Sequence, residues 1–383
     1  MASQKIHRVA VVGCGALAQG AHLPSAKKNP RMQLAAVCDV DADTADFCRK
    51  EFGAERSETD WRKIVDADDI DICILCTHTN LRGDFIVPAL EKGKAVYTEK
   101  PLAPSRADMH RIIDAVRKTK RPVCVGHNRR SSPAMLEFKR LIDKAKRTPE
   151  GAAPSVSRRA ERELIPEEHA MQLLMRVNDD SRSWKPWVFR DEEGILHAEM
   201  VHFMDIALWL NDSKPVRVYA EGSPRGNFTI LVRFQDGSLT TMKHTMVGNF
   251  DYPKELFEAS KNFITVAMEQ HIEVRQIGMA DEAVQKFFPY AEGSEWGGEG
   301  IGGYYRASAE EQKRAAGGPR KWLNVIKGHY DHLDRFLTHV EGKGENPCDV
   351  ESAVAVNQMI LKTLDSARLG LPVAVSPQDW HIP

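Results

Sequence analysis

The chain has 383 residues, too many for one ordinary hydrophobic core, so two domains are expected. Apolar residues make up 42% and charged residues 28%, the balance of a folded globular chain and not of a disordered one. The 53 basic and 54 acidic residues nearly cancel, which argues against nucleic-acid and anionic-membrane partners; no apolar run reaches the roughly 20 residues of a membrane helix.

A strand, HRVAVVGC, is expected at the start, with no targeting segment expected before it, and its continuous apolar run suits a strand covered on both faces. A helix is expected over 16–29, then strand MQLAAVCDVD and helix DADTADFCRKEFG, with an aspartate at its start and a glycine after its end. Strand DIDICILCT, helix NLRGDFIVPALEKG, short strand KAVYTEKPLA, a helix capped by Ser105 and strand PVCVGHNRR follow. This alternation implies a parallel, doubly wound Rossmann sheet over 1–126. Beyond the helix SSPAMLEFKRLIDKAKR, residues 127–383 read as an α+β domain for substrate binding and oligomerisation. Seven strand candidates, MQLLMRVN, VRVYAEG, FTILVRFQ, SLTTMKHTM, ELFEAS, NFITVAME and HIEVRQI, point to a largely antiparallel open sheet. One helix over 194–210 interrupts them, and a helix pair closes the chain. The polar, proline-broken stretch within 145–170 reads as an exposed excursion. The glycine-rich segment 289–320 is either a lid or subunit-contact loop or a disordered one.

Seven cysteines, an odd number, lie largely in strand-like runs, which suits buried thiols in a reducing, cytoplasmic setting. Cys73 and Cys76 form C-x-x-C without a second ligand pair, so no metal is expected.

The run VVGCGALA lies between a strand and a helix, the context a dinucleotide-binding turn needs. Gly13 makes the tight turn, Gly15 lets the backbone approach a pyrophosphate, and Ala16 and Leu17 open a helix whose N-terminal NH groups favour phosphate. Asp39, at the end of the second strand, stands where a carboxylate holds ribose hydroxyls and repels a 2′-phosphate, which makes NAD the expected cofactor.

Three motifs, GCGALAQGAHLP, GKAVYTEKPLA and MVHFMDIALWL, resemble the Gfo/Idh/MocA family of oxidoreductases, named for glucose–fructose oxidoreductase and inositol dehydrogenase. The resemblance covers the chain outside 145–170 and 289–320. It implies a dehydrogenase that oxidises a secondary hydroxyl of a sugar, sugar derivative or inositol by hydride transfer to nicotinamide. It implies that Lys100 binds the substrate hydroxyl and assists its deprotonation, that His202 takes the proton, and that Glu99 and Thr77 line the cofactor side. Many relatives carry an aspartate four residues before the histidine; here that position is Ala198. Glu199, three residues before His202, either replaces that carboxylate or is a surface acid. Another departure is Arg82, where many relatives have histidine. Asn128, Arg129, Trp184 and His197 are candidates for substrate contact, each with a structural alternative. A homodimer or homotetramer is expected. Two other activities stay open: a glycoside-cleaving enzyme working through transient C3 oxidation and elimination, and a nonenzymatic NAD and sugar sensor.

Overall fold

The computed structural model describes residues 5–148, 170–189, 194–291, 299–315 and 324–380. The expected excursion over 149–169 and parts of the glycine-rich segment, 292–298 and 316–323, lie outside the described residues. The chain divides into two compact units.

The first unit holds a six-stranded parallel sheet. Its strands are β1 (His7–Val12), β2 (Met32–Cys38), β3 (Arg56–Glu58), β4 (Ile72–Leu75), β5 (Ala95–Thr98) and β6 (Val123–Val125), in the order β3-β2-β1-β4-β5-β6. The central strands are apolar on both faces: Val9, Ala10, Val11, Ile72, Cys73 and Ile74 are fully buried. The helix signals read from sequence are present. Asp41 caps Ala42–Phe52 by accepting Thr44 N–H at 3.2 Å, and Gly53 ends that helix in the left-handed region. Ser105 caps Arg106–Thr119 through Asp108 N–H at 3.1 Å. Sequence continuity suggested a boundary at 126, whereas the first unit is discontinuous and takes in Gly328–Gln358. The reason is apolar: Leu333, Phe336 and Leu337 of the helix His329–Val340 join its core.

The second unit, Ser132–Lys327 with Met359–Ser376, carries a nine-stranded sheet. Its strands are β7 (Gln172–Asn178), β8 (Pro215–Gly222), β9 (Phe228–Phe234), β10 (Leu239–Thr245), β11 (Glu255–Lys261), β12 (Ile264–Glu269), β13 (Glu273–Ile277), β14 (Gln285–Phe287) and β15 (Val373–Ala374). The order is β14-β13-β12-β11-β7-β10-β9-β8-β15, antiparallel except where β7 meets β10. All seven expected strands are there. β14 and β15 are too short, at three and two residues, to show a period. The glycine-rich segment contains a helix, Gly300–Arg314, whose Tyr304 packs with Ile272. All seven cysteines are free thiols. Among the described residues no helix is long and apolar enough to cross a membrane.

Candidate functional site

In a parallel sheet all strands end on one edge, and the first unit places its candidate residues there. Gly13, Asp39, Thr77, Glu99 with Lys100, and Asn128 with Arg129 follow β1, β2, β4, β5 and β6 in turn. Gly13 has φ +89°, and a Cβ there would stand 2.8 Å from the Cys76 carbonyl carbon and 3.0 Å from Thr77 N. Only glycine is accommodated in so close a crossing. A Cβ at Gly15 would meet nothing within 4 Å, and Gly15, Ala16 and Leu17 are exposed. The turn is therefore closed underneath by backbone and open on its outer side, the shape a pyrophosphate requires. Asp39 is tied to this turn: its Oδ2 accepts Cys14 N–H at 2.7 Å and its Oδ1 accepts Asp41 N–H at 3.0 Å.

The helix after the turn opens with a π turn, Ala18–His22, which carries His22 fully buried beneath the sheet edge. His22 Nε2 lies 2.7 Å from Glu99 Oε1, and Glu99 Oε2 accepts Lys100 N–H at 3.2 Å. Burial raises the Glu99 carboxyl's pKa, but the His22 ring, first by hydrogen bonding and then electrostatically, brings it down to about 2. The Lys100–Pro101 bond is cis, and Lys100 is half-buried. Arg82 is buried as well, donating to Leu75 O at 3.0 Å, Thr77 O at 2.8 Å and the Thr98 hydroxyl. Burial lowers its guanidinium to about 10 despite the nearby Glu99. It braces the loop that presents Thr77. Asn128 and Arg129 are buried in a 3₁₀ turn, Asn128–Ser131.

The remaining candidates lie in the second unit. The segment 194–210 is helical, but Leu196–Met200 forms a π turn ahead of the α-helix Val201–Leu210. In an α-helix residues 199 and 202 would share a face, and the wider turn changes their angular offset. His197 is half-buried; Glu199 and His202 are buried, each 6% exposed. Glu199 Oε1 pairs with Lys254 Nζ at 3.0 Å, and the same ammonium pairs with Asp179 Oδ2 at 2.9 Å. Trp184 Nε1–H donates to Asp179 Oδ1 at 2.9 Å, and His244 stands 3.7 Å from Asp179 Oδ2. Burial pushes the Asp179 carboxyl up, but the His244 ring, the Lys254 charge and the Trp184 bond hold it well below the usual carboxylate range. Trp184 is thus an indole donor to a buried acid. Asp179 and Lys254 were not picked out from sequence; Lys254 directly precedes the strand candidate ELFEAS, where a lysine looks like any surface cation.

A family model described as an oxidoreductase family with an NAD-binding Rossmann fold matches residues 7–127. A 4-carboxy-2-hydroxymuconate-6-semialdehyde dehydrogenase of Sphingobium sp. is 32% identical over 127 residues, 33% of this chain and 40% of that protein. An inositol 2-dehydrogenase of Salmonella typhimurium is 25% identical over 242 residues, 62% of this chain and 64% of its own. The chain thus spans less than two thirds of these relatives' lengths. Among solved structures, an oxidoreductase domain protein from Kribbella flavida aligns with a TM-score of 0.72 at 18% identity, covering 97% of this chain and 100% of that one. A scyllo-inositol dehydrogenase from Lactobacillus casei with bound NAD(H) and scyllo-inositol aligns with a TM-score of 0.69 at 15% identity, covering 97% and 99%. At such identities the structures share the fold.

Proposed function

We propose, on the match of residues 7–127 to an oxidoreductase family with an NAD-binding Rossmann fold, that this chain belongs to the Gfo/Idh/MocA family and is an NAD-dependent dehydrogenase acting on a secondary hydroxyl of a sugar, sugar derivative or inositol. The observation that carries this reading is the single sheet edge that gathers the glycine turn, Asp39, Thr77, Glu99 and Lys100. The residues present suit the cofactor: Gly13 leaves no room for a Cβ, Gly15 is open above, and Asp39 is aimed at the turn. Gly13, Gly15, Ala16 and Leu17 would hold the pyrophosphate, Asp39 the adenosine ribose, and Thr77 and Glu99 the nicotinamide side. Bound NAD supplies the hydride acceptor. Lys100 holds the substrate hydroxyl by its ammonium and stabilises negative charge as it develops on that oxygen. His202 accepts the hydroxyl proton on a neutral ring nitrogen. Asn128 and Arg129 in the first unit, and Trp184 and His197 in the second, are each proposed for substrate contact. Incubation with NAD and a panel of sugars, sugar acids and inositols tests the reading. Net NADH supports it; release of an aglycone without NADH supports the elimination mechanism; NAD binding without turnover supports a sensor.

NAD should bind more tightly than NADP, because the Asp39 carboxylate meets the 2′ position with negative charge. Asp39→Ala should narrow the gap. Calorimetry giving equal affinities in the unaltered protein overturns the preference.

The chain should also self-associate as a dimer or tetramer. Burial alternates strictly along β9, and its outward Leu231 pairs with Thr241 of β10, which pairs with Leu174 of β7. Leu231 and Leu174 stay 37% and 39% exposed in the single chain, a row of side chains suited to burial against a second copy. Light scattering that reports only monomer at micromolar concentration contradicts this.

A further inference from the structure

We propose that His22 is a positioning residue for Lys100, acting through Glu99: it holds the Glu99 carboxylate in the orientation that receives the Lys100 backbone N–H. The inference rests on Lys100 having the role given above, and it concerns how the fold aims that residue.

Three observations carry it. His22 is fully buried and Glu99 is 4% exposed, so the pair has little water to substitute for its 2.7 Å hydrogen bond. An ionised carboxylate only accepts, so His22 Nε2 carries the proton and points it at Oε1. That leaves Oε2 to accept Lys100 N–H at 3.2 Å, a contact made by the residue immediately before the lysine. The carboxylate also packs closely over Gly126, where an added Cβ would come 2.9 Å from Oε1 and 3.1 Å from Cδ. Rotation of the Glu99 side chain about that contact would break both bonds at once. The π turn Ala18–His22 is what delivers the imidazole. It lies in the helix that follows the dinucleotide turn, so one helix serves the phosphate-binding backbone at its start and the Glu99 carboxylate one turn later.

The charged and titratable groups facing Glu99 are His22, Lys100, His329, Arg82, Tyr97 and Cys76. Of these, His22 makes the direct side-chain bond. With it, the carboxyl is held at about 2, below the unfolded value of about 4.3, so its ionisation stabilises the fold above that pH and the contribution is lost as pH falls toward 2. Without it, burial, the largest single influence and an upward one, is opposed only by the Lys100 and His329 charges, so the folded carboxyl should move up. The variant then loses stability as pH climbs from about 4.3 through the new value.

The experiment uses the full chain with His22→Leu, His22→Gln (which keeps a donor), Glu99→Gln and the double variant His22→Leu/Glu99→Gln. Hydrogen exchange at the Lys100 amide should accelerate at least about tenfold in His22→Leu and recover in His22→Gln. The melting-temperature gap between the unaltered protein and His22→Leu should widen from pH 4 to pH 7. It should become pH-independent when Glu99 is also glutamine. A gap that is constant with pH, together with unchanged exchange at Lys100, means that His22 merely fills space and overturns the proposal. Should His22→Leu not fold, His22→Gln against Glu99→Gln supplies the same comparison: faster Lys100 exchange in Glu99→Gln but not in His22→Gln supports it, and equal exchange in all three overturns it. Neither readout needs turnover, so a protein that oxidises no sugar would fail the proposed activity while leaving this result separately legible.

Discussion

Lys100→Ala should lower turnover by at least about 100-fold, the lower end of what a group assisting proton transfer contributes, while NAD affinity stays within a few-fold. The asymmetry follows from where Lys100 sits. Its main chain follows the end of β5 by two residues, and its N–H is held by Glu99, so truncation at Cβ leaves the backbone path intact. The side chain is half-buried, so its loss removes little packing. What disappears is an ammonium beside an oxygen that gains negative charge as the hydroxyl proton leaves, an interaction stronger in the transition state than in the ground state. Lys100→Arg should restore little, because a planar guanidinium places its charge over a wider fork and does not shift toward a neutral form. Steady-state kinetics on a sugar that the unaltered protein oxidises, with calorimetry for NAD, checks both halves. Full activity in Lys100→Ala removes this residue from the mechanism. Lost activity together with lost NAD binding assigns it to the cofactor instead.

The elements legible in the sequence were those whose signals are local. Apolar runs covered on both faces gave five of the six parallel strands, whereas β3, the three half-buried residues Arg56–Glu58, has no apolar run to read; Asp41, Gly53 and Ser105 marked helix ends by hydrogen-bonding chemistry that needs no tertiary partner. Gly13 was readable because a turn of that kind admits one residue type. What could not be read depends on partners distant in sequence. His22 reaches Glu99 across 77 residues, and Lys254 reaches Asp179 and Glu199 across 75 and 55. The two π turns, Ala18–His22 and Leu196–Met200, have no period of their own in a five-residue window, so both helices read as regular. Arg82 was noticed as a departure, but its burial against three oxygens follows from the meeting of β4 and β5, which only the folded sheet shows.

Glu199→Gln should lower turnover by roughly ten- to ten-thousand-fold, the range of groups that assist acid–base chemistry, with the melting temperature little changed. The structure sharpens the reason. Glu199 is buried, and its ammonium partner, Lys254, is shared with Asp179. When Glu199 becomes an amide, Lys254 keeps the Asp179 carboxylate, which His244 and Trp184 also hold ionised, so no buried charge is stranded. The opposite change behaves differently. Lys254→Met leaves two buried carboxylates without their cation, and breaking a buried pair from one side costs about 3–5 kcal/mol. A fold-stabilising role for this cluster therefore predicts a severe Lys254→Met and a silent Glu199→Gln. A role in chemistry predicts that Glu199→Gln loses turnover while staying folded. His202→Ala should be at least as damaging as Glu199→Gln. The double variant should be little worse than the worse single one, because groups that act as a unit are not additive. Measured on one substrate, with melting curves for each variant, the four proteins separate the cases. If Glu199→Gln keeps the turnover and pH profile of the unaltered protein, Glu199 serves only to anchor the π turn through Lys254, and Ala198 marks a carboxylate that this chain does without.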